Sequence, residues 1–193
     1  RHMMKRIRRF LKRFGRARGG IISVEFALTA PILVLLFTSL AETGIYLLLH
    51  VKLQHATVSV ADLITRDESV RESTVADLFE AVPQILNPFS IDDDGVVVVS
   101  AIGRLGNNPT RVLWQRRGAG PLVRDSDIGA EGEAVSDPEG IPVGPDETVV
   151  VAELFYNYEP IFLPFFGPRE IVKHAFYRPR LGALQEIDPD PPS

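Results

Sequence analysis

The sequence predicts an α+β fold, in which a long apolar N-terminal helix precedes a small antiparallel-sheet domain with one short helix. Three observations lead to this prediction. An apolar run of 31 residues, 21–51, is far too long for a strand. An amphipathic stretch follows at 73–86, and several β-branched runs separated by turn residues come after it. Helix and strand patterns lie in separate parts of the chain, which is typical of the α+β class.

The charges divide the chain into a basic arm and an acidic body. Residues 1–20 hold nine of the 21 Lys and Arg residues and none of the 25 Asp and Glu residues. A basic arm can bind nucleic acid, but an apolar run follows at once, so the arm is better interpreted as the cytoplasmic flank of a membrane span. No nucleic-acid partner is expected. Residues 1–3 are expected to be a cloning remnant, and the absence of cysteine excludes disulfides and Cys-based sites.

The apolar run is long enough to cross a membrane. At a rise of about 1.5 Å per residue it extends about 46 Å, more than the ~30 Å hydrocarbon core. Apolar residues continue at helical spacings beyond it, so one helix is expected over 21–66. Glu25 near the start of the span costs roughly 2–4 kcal/mol unless it is paired. Pro31 would free the carbonyl of Ala27, either as a simple kink or as a melted stretch.

Three mature N-termini agree with a basic arm followed by an apolar run. A conventional signal peptide would be cut after Ala41, where the residues satisfy the small-x-small rule. An uncleaved anchor would begin at Met4. A cut between Gly20 and Ile21 would give Glu25 a partner, because the new α-ammonium group, on the same chain or on a neighbouring subunit, neutralises the carboxylate.

The stretch "GIISVEF", residues 20–26, matches the prepilin cleavage pattern, in which Gly is followed by four residues and then Glu. The fuller stretch "RARGGIISVEFALTAPILVLLF" resembles the TadE/TadG family of pseudopilins from tight-adherence (Tad, Flp) pilus systems. Members of that family show G-x-x-x-V-E-F-A-L-x-x-P before an apolar run. The resemblance implies prepilin cleavage between Gly20 and Ile21, and roles in assembly and register for Glu25, Phe26 and Pro31. The chain length favours a TadE-like or TadF-like member.

The resemblance also implies a function, a set of partners and a location. The expected function is that of a minor pilin, or pseudopilin, in the biogenesis of a Tad (type IVc) pilus for surface adhesion. The expected partners are a prepilin peptidase, other minor pilins and the major pilin, the inner-membrane assembly platform and the lipid bilayer. The expected location is the bacterial inner membrane, single-pass, with a cytoplasmic N-terminus and a periplasmic C-terminal domain; incorporation into the extracellular pilus stays open. The alternatives are an exported periplasmic binding protein and an uncleaved anchored interaction module.

The body, residues 67–183, is predicted to contain a short helix and four antiparallel strands. The helix is expected over Ser73–Leu86, capped by Ser73 or Thr74 and ending or kinking near Ala81 because Pro83 follows. Strands are expected at 96–102, 111–118, 147–158 and 170–180. The consecutive acids at 92–94 are interpreted as a solvated turn, since a calcium loop needs alternating ligands.

Four further expectations concern the body and the tail that follows it. Trp114 is expected to share a strand face with Val112 and Arg116, in core or edge packing rather than as a partner anchor. Residues 118–146 are expected to be a long exposed loop, either disordered or in contact with a partner. Residues 161–169 either plug the end of the sheet or expose an apolar patch to a partner or a membrane. Residues 184–193 are expected to be a disordered tail.

No arrangement of residues in the sequence predicts catalysis. His2 lies in the presumed remnant, His50 and His55 are five residues apart and so point to different sides of a helix, and His174 lies in a strand. The sequence contains no zinc-protease, serine-hydrolase or nucleotide-binding motif. We expect no enzymatic activity, no cofactor and no metal.

Overall fold

A computed structural model describes residues 19–104, 106, 108–136, 141, 143–181 and 184–190. The predictions for the basic leader, apart from its last two residues, and for residues 191–193 lie outside the described residues. The chain divides into two compact units. One contains the chain up to Gly44 together with Ile161–Leu163, and the other contains Ile45–Pro160 together with the chain from Pro164 onward.

The first helix, α1, spans Gly19–Ile64, which confirms the prediction of one long N-terminal helix. The boundary between the two units falls inside this helix, after Gly44. Pro31 lies within α1, and the helix is continuous through it, without a melted stretch. The C-terminal part of α1 belongs to the second unit and contributes six fully or almost fully buried apolar side chains to its core: Leu49, Leu53, Ala56, Val60, Ala61 and Ile64.

The second helix, α2, spans Glu72–Leu86 and continues past Pro83, so it does not end near Ala81. Its buried residues recur at helical spacing, which is the amphipathic pattern that the sequence predicts. The predicted cap is wrong, because neither candidate side chain caps the helix. The backbone N–H and the hydroxyl of Ser73 both donate to Oδ1 of Asp190, at 3.3 and 2.5 Å, so a carboxylate 117 residues away accepts one backbone N–H of the first turn.

Four antiparallel strands form the main sheet, as predicted. The strands are β2 (Gly95–Gly103), β3 (Arg111–Gly118), β4 (Thr148–Tyr158) and β5 (Arg169–Tyr177), and their order across the sheet is β3-β2-β4-β5. A small parallel pair joins β1 (Val70–Arg71) to β6 (Ile187–Asp188). The sequence did not predict this pair, since two residues carry no detectable periodicity.

A β-bulge in β3 overturns the prediction that Val112 and Trp114 share a face. Trp114 pairs with Ala101 and Val112 pairs with Ile102, so Leu113 has no partner on β2. The extra residue reverses the alternation. Trp114 therefore packs in the core that contains α1 and α2, whereas Val112 packs on the opposite face of the sheet. The prediction that Trp114 is a packing residue is confirmed, because it is only 3% exposed.

The sheet is buried on both faces, so β2 and β4 consist almost entirely of buried residues. The helices cover one face. The segment between β3 and β4 covers the other, and four of its apolar side chains are buried against β2, β3 and β4: Ile128, Val135, Ile141 and Val143. The prediction that 118–146 is an exposed loop is therefore wrong for these described residues. Burial of apolar area, together with a bridge between Arg111 and Ala134, holds the segment on the sheet.

Residues 184–190 also differ from the predicted disordered tail. The Trp114 indole N–H donates to the carbonyl of Leu184 at 2.9 Å, and Leu184 is 4% exposed. With the β1–β6 pairing and the Asp190 contact to α2, these residues make specific contacts within the second unit. Each contact joins the tail to a residue far away in the sequence, which is why composition alone indicated a frayed end.

Candidate membrane helix and buried carboxylate cluster

The N-terminal part of α1 is apolar on every side. Five consecutive residues, 33–37, are all exposed, and five residues exceed the 3.6 residues of one helical turn. No charged residue occurs from Phe26 to Ala41. A helix that is apolar all round either lies in a protein core or spans a membrane, and the described residues of the chain leave the apolar side chains of this one exposed. The exposed apolar side chains, each between 43% and 70% exposed, are Ile22, Val24, Phe26, Leu28, Ile32, Leu33, Val34, Leu35, Leu36, Phe37 and Leu40.

Four hydroxyl side chains on this part of α1 are bonded to the helix itself. The hydroxyl groups of Thr29, Thr38, Ser39 and Thr43 each donate to the carbonyl four residues earlier, at 2.7–2.9 Å. Such back-bonding satisfies a hydroxyl without water. By length and composition, α1 can therefore cross a membrane over a window within Ile22–Ile64.

The residues predicted to act in cleavage and assembly all lie on this helix. Gly20 is exposed, with no atom within 4 Å of the position that a Cβ would occupy. Glu25, Phe26 and Pro31 are also exposed. The Glu25 carbonyl accepts the Thr29 hydroxyl. The side chain of Ile21 and the basic arm lie outside the described residues, so the predicted pairing of Glu25 with an α-ammonium group stays a prediction.

Sequence reasoning missed a buried carboxylate, Glu42, at the end of the uncharged stretch. Glu42 is 7% exposed. Its Oε1 accepts the backbone N–H of Ile161 at 3.1 Å, and its Oε2 accepts the backbone N–H of Phe162 at 2.6 Å. One side chain therefore holds two successive amide groups of a distant loop, in the same compact unit. The charge that interrupts the apolar run was the available signal, but nothing local indicated its partner.

A second buried carboxylate lies on the loop-covered face of the sheet. Glu153 in β4 is fully buried. It accepts a short hydrogen bond from the hydroxyl of Ser126 and a 3.0 Å hydrogen bond from the backbone N–H of Asp127. On the neighbouring strand β5, the Nε2 atom of His174 lies 3.4 Å from Glu153 Oε1 and 3.6 Å from Asp127 Oδ2. From β4, Glu153 thus binds the loop residues Ser126 and Asp127 and also contacts His174 on β5.

The cluster shifts the pKa of His174. The hydrogen bond to Glu153 raises the pKa of His174 above its ordinary value near 6.5, with a further contribution from Asp127 and an opposing one from burial. Arg124 completes the cluster at the surface: it contacts Asp127 at 2.9 Å and Glu170 at 3.1 Å, and these contacts raise its own pKa. Its guanidinium carbon also lies 4.7 Å from the centre of the Phe155 ring.

Among the described residues, one group of side chains has the spacing needed to hold a metal ion. It consists of Asp127, Glu153 and His174, whose potential ligand atoms all lie within 4.8 Å of one another. Both Glu153 oxygens, however, already accept hydrogen bonds from the loop. We therefore interpret the cluster as the attachment of the loop to the sheet. The lone acid within the apolar run "VVVAELF" was the only sequence signal for it.

These features define a class: a protein in which one apolar helix, capable of crossing a membrane, continues into a small α+β body. The family comparison concerns the helix alone. Residues 20–62 match the family model described as TadE-like protein, so the chain is TadE-like over its N-terminal helix. The match confirms the resemblance seen in the sequence, and it begins at Gly20. No curated protein and no solved structure matches the chain.

Proposed function

We propose that this protein is a minor pilin, or pseudopilin, that takes part in the biogenesis of a Tad pilus. The observation that carries the proposal is the coincidence of the TadE-like match at 20–62 with a helix that is apolar on every side. A pilin-type subunit needs such a helix twice, first in lipid and then against the helices of other subunits. The role is one of assembly rather than catalysis.

The proposal includes cleavage by a prepilin peptidase between Gly20 and Ile21. Supporting it, Gly20 is exposed, and a Cβ added to it would meet nothing within 4 Å outside the backbone of its own helix. The basic arm would lie in the cytoplasm before cleavage, since Lys and Arg are retained on that side of a membrane, and the acidic body would then lie in the periplasm. Other minor pilins, the major pilin and the inner-membrane platform are the proposed partners.

The two alternative functions require other N-termini. A signal peptide cut after Ala41 would leave a soluble periplasmic binding protein that begins at Glu42. Such a protein would lack the TadE-like segment before that point. An uncleaved anchor would retain the whole basic arm and act as an interaction module at the membrane.

The proposed function is tested by complementation in the protein's own host. Deletion of the gene should reduce the number of Tad pili seen by electron microscopy, and the wild-type gene should restore them. Gly20→Val should leave an unprocessed, membrane-bound chain and fail to restore pili. The matched control is Gly44→Ala, a change in the same helix where the added methyl group meets no atom within 4 Å, which should restore pili. Normal piliation in the deletion strain would contradict the proposed function.

A further inference from the structure

We propose that Ile161 and Phe162 form a second contact with the lipid bilayer, at the interface where the N-terminal helix leaves it, and that Glu42 holds them there. The inference rests on the proposed function in one respect, namely that α1 spans a membrane. The inference assigns a membrane contact to Ile161 and Phe162, which lie outside the TadE-like segment. It also gives Glu42 a role, whereas a membrane span alone does not require a carboxylate at that position.

The loop exposes apolar side chains that the fold leaves uncovered. Ile161 is 63% exposed and Phe162 is 49% exposed, whereas the next residue, Leu163, is buried. Large apolar side chains that are exposed side by side in a short loop mark a contact surface rather than ordinary surface composition.

The position of Glu42 along α1 places this loop at the edge of a bilayer. From Ile21 to Glu42 the helix rises about 32 Å at about 1.5 Å per residue, which matches the ~30 Å hydrocarbon core. A span that begins at the expected mature N-terminus therefore ends at Glu42. Because Glu42 bonds the two amide groups directly, Ile161 and Phe162 lie at the same level of the helix as its carboxylate.

The backbone of the loop is suited to a medium with little water. An unpaired N–H group is costly in lipid, so irregular chain is tolerated there only when its donors are satisfied. The N–H groups of Ile161 and Phe162 are both bonded by Glu42. Three prolines in "EPIFLPFFGP", at positions 160, 164 and 168, carry no N–H at all, and the Gly167 N–H is bonded to the Pro164 carbonyl.

The same bonds explain why Glu42 is tolerated at the end of an apolar helix. A carboxylate near the hydrocarbon edge loses hydration, and two amide donors replace part of that hydration. The loop and the carboxylate thus satisfy each other. The apolar side chains of the loop are then free to enter the headgroup and acyl boundary, as the apolar face of an interfacial segment does.

The absence of cysteine allows a direct test with single-cysteine variants of the full chain. Phe162→Cys, Phe37→Cys and Val123→Cys would each carry a nitroxide spin label in vesicles of phosphatidylethanolamine and phosphatidylglycerol. Collisions with oxygen, which concentrates in lipid, and with a water-soluble nickel chelate would be measured. Position 37 lies on the span and position 123 is 87% exposed in the body, so they define the lipid and water limits.

The ratio of the oxygen collision rate to the nickel collision rate should be several-fold higher at position 162 than at position 123. It should be lower at position 162 than at position 37. A ratio at 162 equal to that at 123, with a high ratio at 37, would overturn the inference and leave the membrane span intact. Low collision with both reagents at 162 would mean that protein covers the loop, which also overturns it. A low ratio at 37 would contradict the span, and with it both proposals.

The role of Glu42 is tested by combining the label at 162 with Glu42→Ala. Loss of the two hydrogen bonds should increase the mobility of the label and lower its oxygen-to-nickel ratio toward the value at 123. The matched control is Glu159→Ala, which removes an exposed carboxylate from the residue before Pro160 and should change neither quantity. An unchanged ratio in Glu42→Ala would show that Glu42 does not hold the loop.

Discussion

Replacement of Glu153 tests whether the buried carboxylate fastens the loop between β3 and β4 to the sheet. Glu153→Ala removes a fully buried carboxylate and leaves the partly buried Ser126 hydroxyl and Asp127 N–H without their acceptor. A hydrogen bond to a charged group contributes about 1.5–3 kcal/mol, so the loss of two should lower the free energy of unfolding by about 3–6 kcal/mol. Glu153→Gln keeps one oxygen acceptor, and the Ser126 hydroxyl can rotate to accept from the new amide. Its expected cost is therefore smaller, about 1–2 kcal/mol.

The assay is urea unfolding of the full chain in detergent micelles, followed by Trp114 fluorescence. Trp114 lies on the opposite face of the sheet from Glu153, so its signal reports unfolding of the body rather than local change around the carboxylate. Hydrogen exchange at the Asp127 amide gives a local measure and should become faster in both variants. Glu170→Ala, which removes a half-exposed carboxylate bonded to Arg124, is the control and should cost less than about 1 kcal/mol.

The reasoning would be refuted if Glu153→Ala stayed within about 0.5 kcal/mol of the wild type, the range of ordinary surface substitutions. It would also be refuted if the Asp127 amide kept its wild-type exchange rate.

Three further predictions concern the body and the helix. Because the pKa of His174 is raised in the folded state, its contribution to stability is fully present below its ordinary pKa and is lost as pH rises through the folded value. Urea unfolding should therefore show stability falling as the pH rises above the ordinary His174 pKa near 6.5, by less than about 1 kcal/mol for this partly exposed group, and His174→Gln should flatten the profile. Gly120→Ala should cost about 1–3 kcal/mol in the same assay, since its methyl group would lie 2.2 Å from the Gly95 carbonyl oxygen, whereas Gly44→Ala should cost nothing. Glu25→Gln should reduce piliation while the chain still fractionates with membranes; normal piliation would show that the carboxylate does not set register.

The elements that the sequence predicted are those whose signals are local. The helix α1 follows from an apolar run that exceeds any strand, and α2 follows from apolar residues at helical spacing. The main strands follow from short runs of β-branched and aromatic residues bounded by turn residues, such as the Asp92–Gly95 turn before β2. The proposed cleavage and assembly residues come from a family pattern that is also contiguous in sequence, and their roles stay predictions.

The features that the sequence did not predict depend on contacts between distant residues. Glu42 bonds to amides 119 and 120 residues away, and Asp190 replaces the expected cap of α2 from 117 residues away. The bulge at Leu113 depends on how β3 pairs with β2, which alternation within β3 does not determine. The loop after β3 was expected to be exposed because Gly, Pro and acidic residues dominate its composition. Its few apolar side chains, which are buried against the sheet, give only a weak signal in the sequence.

The N-terminus of the mature chain tests the central claim most directly. The protein would be extracted from membranes of its own host and its N-terminal peptide identified by mass spectrometry. A pilin-type subunit processed by a prepilin peptidase should begin at Ile21. A peptide that begins at Glu42 would indicate a conventional signal peptide, and one that begins at Met4 would indicate an uncleaved anchor; either result would contradict the proposed maturation of this TadE-like chain.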